Sequence, residues 1–311
     1  MKERIGFIGL GLMGSGMAAN LVRKGWSLTA VAHRKRESIE ALIREGAREA
    51  KTPRALAAES DVVILCVTGS AEVEQLVAGA EGLAMAGKPL LVIDCSTSDP
   101  SVTVRLAETL ADRGISLADA PLARTPKEAA EGTLDVMVGG STELVTRATP
   151  VLGAFARRVI HTGPVGSAHT MKLLNNFVSM SYASVYSEAL MLGVKAGLTP
   201  AVFDSVLRGG RMECGFYQLF FDYVLNRDDG GLRFAMKNAL KDMTYLASFA
   251  QASGAANPIG AAVRNGFAAA VATGRGDRFV PVLSDVVAEL NGVSLVGAPD
   301  EMSERRARRE P

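Results

Sequence analysis

The stretch Ile5-Gly6-Phe7-Ile8-Gly9-Leu10-Gly11-Leu12-Met13-Gly14 decides the fold. Its opening apolar run, Ile5 to Ile8, reads as a buried strand, and the Ala-rich segment Ser15 to Val22 reads as a helix. Between them, glycines at 9, 11 and 14 give the Gly-x-Gly-x-x-Gly spacing of a dinucleotide cradle. Gly9 permits the tight turn, Gly11 lets the backbone approach a pyrophosphate, and Gly14 lets helix and strand pack closely. Leu12 and Met13 complete the cofactor-binding loop. The helix N-terminus offers N–H donors and a positive dipole end to the phosphates. A ligand-free strand-to-helix turn would account for the glycines alone, but the flanking pattern favours a bound dinucleotide.

Working outward, Ser27 to Ala32 reads as a second strand. An Asp or Glu at its end would suit the ribose 2′-hydroxyl of NAD(H). This chain has His33-Arg34-Lys35-Arg36 instead, and a cationic cluster accommodates a 2′-phosphate. The expected cofactor is therefore NADP(H) in preference to NAD(H), with a solvated basic loop as the plainer alternative. Thr52-Pro53 caps a short helix. Asp61 to Val67 is a third strand, followed by Thr68 at a position suited to cofactor contact. Leu90 to Asp94 is a fourth, ending in Cys95-Ser96-Thr97. Hydroxyls at the carboxyl end of a parallel strand lie where ligands collect, although Asp99-Pro100 could simply begin a helix. Ile115 to Ala118, Met137 to Gly140 and Val159 to His161 extend the series. The alternation predicts an α/β fold, with a doubly wound parallel Rossmann sheet over residues 1–162.

At Gly163-Pro164-Val165-Gly166 the alternation stops. Helical segments follow at 168–196, 200–207, 215–224, 234–253, 258–273 and 279–291, predicting an all-α domain for substrate binding and dimerisation over 163–298. Residues 299–311 carry four arginines among acids and read as a disordered tail or a surface arm. The aromatic group Phe216, Tyr217, Phe220, Phe221 and Tyr223 reads as core or dimer packing, with a substrate wall as the alternative, and Arg211 as a surface residue, with a second anion contact as the alternative.

Composition narrows the function classes. Across 311 residues, 48% are hydrophobic and 22% charged, and the net charge is +1, which favours neither nucleic acid nor an anionic membrane as partner. No signal peptide or membrane-length apolar run is evident. Three scattered cysteines (66, 95, 214) suggest a cytoplasmic, disulfide-free protein, and the three histidines (33, 161, 169) lack metal-site spacing.

The first long helix contains Met171-Lys172-Leu173-Leu174-Asn175-Asn176. Lys172 and Asn176 are four apart and share a helical face, which Ser179 and Ala183 continue. An amine in an otherwise apolar helix, directly after the hinge, is a candidate functional group rather than a snorkelling surface lysine.

These features together resemble the β-hydroxyacid dehydrogenase family. The marks are Gly9 to Gly14 continuing to Met17-Ala18-Ala19-Asn20-Leu21, Asp94-Cys95-Ser96-Thr97, Asp119-Ala120-Pro121 with Gly132-Thr133-Leu134 and Gly139-Gly140, Gly163 to Gly166 leading to Lys172 and Asn176, and Lys241-Asp242. The resemblance implies a hydride exchange between the nicotinamide and a small 3-hydroxy acid or semialdehyde. Lys172 is then the general acid/base, supported by Asn176, with Thr97 touching substrate or nicotinamide. Phe234, Lys241 and Asp242 approach from the helical domain, Lys241 toward the cofactor. One departure stands out: the family's Ser-Gly-Gly, which holds a substrate carboxylate, is Ala123-Arg124-Thr125 here. Either Arg124, with Thr125, clamps an anion in place of the backbone cradle, or Arg124 points outward and the acid site is lost. An imine or iminium reductase of the same fold, whose members generally lack this lysine, and a non-catalytic NADP-binding module are the alternatives. The apolar helices imply a homodimer or homotetramer.

Overall fold

The computed structural model describes residues 2–32 and 36–295. His33, Arg34 and Lys35, read above as the 2′-phosphate cluster, lie outside the described residues, as does the 299–311 tail. The described residues form two compact units, one reaching to Asn175 and including Gln251–Ser253, the other comprising Asn176–Ala250 and residues 254–295.

The first unit alternates strands and helices: β1 (Ile5–Ile8), α1 (Gly14–Arg23), β2 (Leu28–Val31), α2 (Glu37–Arg44), β3 (Arg48–Ala50), α3 (Pro53–Glu59), β4 (Val62–Leu65) and α4 (Ser70–Ala78). It continues through β5 (Leu90–Asp94), α5 (Pro100–Ala111), β6 (Ile115–Asp119), β7 (Leu122–Ala123), α6 (Pro126–Glu131), β8 (Leu134–Gly139), α7 (Thr142–Leu152) and β9 (Ala156–Gly163). The strands form one sheet in the order β3-β2-β1-β4-β5-β6-β8-β7, with β9 paired to β8.

β1, β4 and β5 are buried along their whole lengths, as a sheet covered on both faces requires. Their side chains alternate between two cores. Phe7, Ile64 and Ile93 enter one, while Ile8, Leu65 and Val92 enter the other. From β3 to β6 all pairings are parallel, in line with the doubly wound expectation. Beyond β6 the sheet becomes mixed: β8 runs antiparallel to β6 and β7, and β9 parallel to β8. The segment between β7 and β8 is shorter than the dozen residues of a parallel crossover, so the chain folds back as a hairpin around α6. A short charged strand (β3) and a two-residue strand (β7) lack the apolar run that marks the others.

A 29-residue helix, α8 (Ser167–Lys195), begins in the first unit and continues into the second. The second unit adds α9 (Pro200–Leu207), α10 (Gly215–Asn226), α11 (Met236–Ala252), α12 (Pro258–Ala270) and α13 (Leu283–Leu290). Tyr217, Phe220 and Phe221 on α10 are fully buried, and the Tyr217 hydroxyl donates to Asp204 at 2.9 Å, which fits the core reading of the aromatic group. A π-helical turn, Val271–Arg275, ends α12 where Gly274 turns left-handed at φ 83°. Among the described residues, no helix is long and apolar enough to cross a membrane.

Candidate active site

The glycine cradle follows from what a side chain would strike. At Gly9, φ is 107° and an added Cβ would lie 2.1 Å from the Cys66 carbonyl oxygen. At Gly14, it would lie 1.9 Å from the Gly9 carbonyl oxygen and 3.0 Å from the Phe7 ring. Those two glycines serve the turn and the helix–strand approach. Gly11 is different: a Cβ there meets nothing within 4 Å, so its bareness serves no packing purpose inside the chain. Open space above an exposed glycine, at a helix N-terminus with no side-chain cap, fits a dinucleotide pyrophosphate. Ser15 Oγ pins the loop by donating to the Leu10 and Gly11 carbonyls at 3.0 and 2.8 Å. Leu12 is exposed and Met13 half-buried on the same loop.

Helix α1 also carries the neighbouring loop. A Cβ on Gly16 would lie 2.6 Å from the Ala129 carbonyl carbon, and Asn20 Nδ2 donates to the Ala129 and Ala130 carbonyls at 3.0 Å each. The segment bearing Ala123, Arg124 and Thr125 is thereby docked on the cradle helix.

At the carboxyl ends of β4 and β5, Thr68 is exposed and Thr97 half-buried. The turn that presents Thr97 is built on Asp94, a buried carboxylate accepting the Ser96 N–H at 2.9 Å and the Ser98 hydroxyl at 3.0 Å. Ser96 Oγ in turn accepts the Val67 N–H at 3.0 Å, linking the ends of β4 and β5. Burial, reinforced by the Asp94 charge, pushes the Cys66 thiol up to about 12, and Cys95 is raised as well, so neither is a thiolate nucleophile.

Thr125 is the N-cap of α6: its hydroxyl donates to Glu128 at 2.6 Å and accepts the Lys127 N–H at 3.3 Å. Ala123 pairs with Asp135 across β7 and β8. Arg124 adopts φ 83°, the left-handed backbone that the family's glycine would take without strain. Its guanidinium lies 3.7 Å from Asp135 and within 3.5 Å of the Thr133 carbonyl. Asp135 is shared with Arg157 at 3.0 Å and Arg158 at 3.7 Å.

Asp119 and Gly139 belong to a sequence motif that does not by itself reveal their task. Asp119, fully buried at the end of β6, accepts the N–H groups of Gly166 and His169, both at 2.8 Å, and so holds the start of α8. Gly139 lies opposite Asp119 in the sheet, and a Cβ there would fall 2.4 Å from the Asp119 carboxylate. An acid ending each of two consecutive apolar strands was the signal for Asp94 and Asp119. Lys172, half-buried, follows His169 by one turn on α8.

In the second unit, Asn176 Nδ2 donates to Asp242 Oδ2 at 2.7 Å, both groups being buried. Lys241 Nζ lies 3.0 Å from Asp242 and 4.9 Å from the Tyr245 ring centroid. Phe234 precedes α11 and accepts the Val280 N–H at 2.8 Å. Among the described residues, no His, Cys, Asp and Glu group could hold a metal ion.

Residues 4–163 match the family model for the NAD binding domain of 6-phosphogluconate dehydrogenase. Residues 166–280 match that for the NAD-binding of NADP-dependent 3-hydroxyisobutyrate dehydrogenase. A 3-hydroxyisobutyrate dehydrogenase of Pseudomonas aeruginosa is 36% identical over 273 residues, covering 85% of this chain and 90% of its own. The chain belongs to the β-hydroxyacid dehydrogenase family. Another member, the 3-sulfolactaldehyde reductase of Escherichia coli, is 32% identical over 88% of this chain and 91% of its own. The crystal structure of a Salmonella typhimurium 3-hydroxyisobutyrate dehydrogenase superposes with a TM-score of 0.81 at 26% identity, over 92% of this chain and all of that one. This β-hydroxyacid dehydrogenase is an NAD(P)-dependent oxidoreductase acting on CH–OH groups.

Proposed function

We propose that this enzyme is an NADP(H)-preferring reductase of a small semialdehyde, or the reverse dehydrogenase of a small 3-hydroxy acid, with Lys172 as general acid/base. The observation that carries the reading is the placement of Lys172 one turn after a helix start bound to the buried Asp119 carboxylate, in the unit that also holds the open Gly11 cradle. Gly9, Gly11, Leu12, Met13 and Gly14 would hold the pyrophosphate, with Thr68, Thr97 and Lys241 as further cofactor contacts. His33, Arg34 and Lys35 would take the 2′-phosphate. When bound, the reduced nicotinamide supplies hydride to a carbonyl carbon.

Lys172, as an ammonium, stabilises the negative charge that develops on the carbonyl oxygen and donates the proton that completes the alcohol. In the oxidative direction its neutral amine accepts that proton. Asn176 spends its amide N–H on Asp242, which turns its carbonyl oxygen away from that carboxylate to align the substrate hydroxyl or the lysine. Phe234 and Asp242 are the remaining proposed substrate contacts.

The substrate's anion is assigned to Arg124. Asp135 already serves Arg157 and Arg158, so exchanging one exposed ion pair for a carboxylate, sulfonate or phosphate costs little. Ala123 and Thr125 hold the loop on either side. A screen of NADPH oxidation over short aldehydes bearing each of these anions tests the substrate class; activity only on uncharged aldehydes contradicts it. Arg34→Asp should weaken NADPH far more than NADH, and equal affinities would overturn the cofactor preference.

Self-association as a homodimer or homotetramer is proposed from α8. Met171, Leu174, Val178, Tyr182, Val185 and Leu192 are exposed and fall within about 80° of the helix circumference, a continuous apolar stripe. Val178→Lys with Val185→Lys should yield a monomer by light scattering. The free thiols of Cys66, Cys95 and Cys214 suit a cytoplasmic setting.

A further inference from the structure

The first unit contains a buried histidine that takes no part in the proposed hydride and proton transfer. His169 is fully buried on the first turn of α8. Its Nδ1 lies 2.8 Å from Thr103 Oγ1 on α5, and its Nε2 lies 3.8 Å from Asp94 Oδ2 at the end of β5. Nε2 makes no hydrogen bond. The Thr103 hydroxyl also donates to the Asp99 carbonyl at 3.2 Å, at the start of α5. One ring therefore spans three structures: the helix that carries Lys172, the strand end from which the Thr97 turn departs, and the helix that follows that turn.

We infer that His169 is a positioning residue for the reaction, a buried strut that sets Lys172 relative to the Thr97 turn. Its backbone N–H, bonded to Asp119, fixes the axial position of α8. The ring fixes the rotation of α8 about its axis, because Thr103 holds it from the side and Asp94 packs beyond it. Lys172 lies three residues on, so a rotation at His169 is carried directly to the amine. The inference rests on the reading of Lys172 as the acid/base group.

The substitution His169→Leu separates strut from scaffold. Leucine fills a similar volume, Thr103 keeps its bond to Asp99, and Asp94 keeps Ser96 and Ser98, so no neighbouring polar group is orphaned. The expected result is a fall in kcat of about 10- to 100-fold, the effect of sub-ångström to ångström misplacement, with the KM for NADPH unchanged. His169→Asn, whose amide reaches the place of Nδ1, should recover most of that loss. The same His169→Leu change made in a Lys172→Met background should have no further effect on turnover. Equal losses in both backgrounds, or a loss in kcat that merely tracks the folded fraction by circular dichroism, would overturn the strut. Failure of the acid/base reading would be seen separately, as full turnover in Lys172→Met alone.

Discussion

The Asp119 carboxylate accepts the backbone N–H of His169 at 2.8 Å, and by this bond the end of β6 holds the first turn of α8. The partner oxygen takes the Gly166 N–H at the same distance, so both acceptor atoms of one buried acid serve a single helix start. Helix starts leave N–H groups without intrahelical partners, and a carboxylate there also complements the helix dipole. The helix that bears the proposed acid/base lysine is thus fixed to the sheet before any ligand binds.

Asp119→Asn keeps the size of the side chain but offers one acceptor where two N–H groups need partners. A buried donor left unpaired costs about 1–3 kcal/mol. Thermal unfolding should show a clear fall in Tm, and turnover per folded molecule should fall with it. A variant with the wild-type Tm would remove Asp119 from this role.

The cradle glycines predict opposite failures. Gly14→Ala drives a Cβ into the Gly9 carbonyl and should yield little folded protein. Gly11→Ala meets only open space, so its Tm should stay at the wild-type value while NADPH affinity falls by about tenfold, or about 1.4 kcal/mol. Titration by nucleotide fluorescence reads the second effect; unchanged affinity would place the pyrophosphate elsewhere.

Arg124 carries backbone strain as well as charge. A left-handed non-glycine residue costs about 1–2 kcal/mol, which glycine relieves and alanine does not. Arg124→Gly should therefore unfold about 2–8 °C above Arg124→Ala, since each kcal/mol moves Tm by about 2–4 °C in a unit of 150–250 residues. Both variants should raise the KM for an anionic substrate to the same extent. If only Arg124→Ala raises it, the guanidinium is not the anion contact.

Acid should act through Asp135. The hydrogen bond from Arg157 holds its carboxyl below the ordinary carboxylate range, against the opposing effect of burial, with Arg158 and Arg124 adding their charge. A depressed native pKa contributes stability above the unfolded value of about 3.9 and loses it as pH falls below that value. Asp135→Asn should then lower Tm at pH 7 and have a smaller effect near pH 3. Calorimetry at the two pH values checks the sign; an equal loss at both would remove the ion-pair contribution.

Much of the first unit was legible because apolar runs and glycine spacing are local signals. Ile5–Ile8, Leu90–Asp94 and the cradle need only their own residues to be read. The second unit's helices were legible for the same reason, with Pro200–Leu207 read to the residue. β7 and the antiparallel turn at β8 were not, because pairing direction depends on connection geometry rather than on the strands themselves. The tasks of Asp119 and His169 were hidden for a related reason. Their partners lie 66 and 50 residues away along the chain for the Thr103–His169 and Asp119–His169 bonds, and no periodicity reports such contacts. Thr125 was read toward the substrate, whereas its hydroxyl is engaged in a capping box, a Thr-x-x-Glu pattern visible in the sequence itself.

Proton exchange at Lys172 is the step on which the proposed reaction depends. Its most direct test is the kcat of Lys172→Met for NADPH-dependent reduction of the best aldehyde from the screen, measured beside NADPH affinity. The account predicts a loss of about 100- to 10,000-fold in turnover, the usual worth of a general acid, with NADPH binding retained. Turnover within a few-fold of wild type would contradict it.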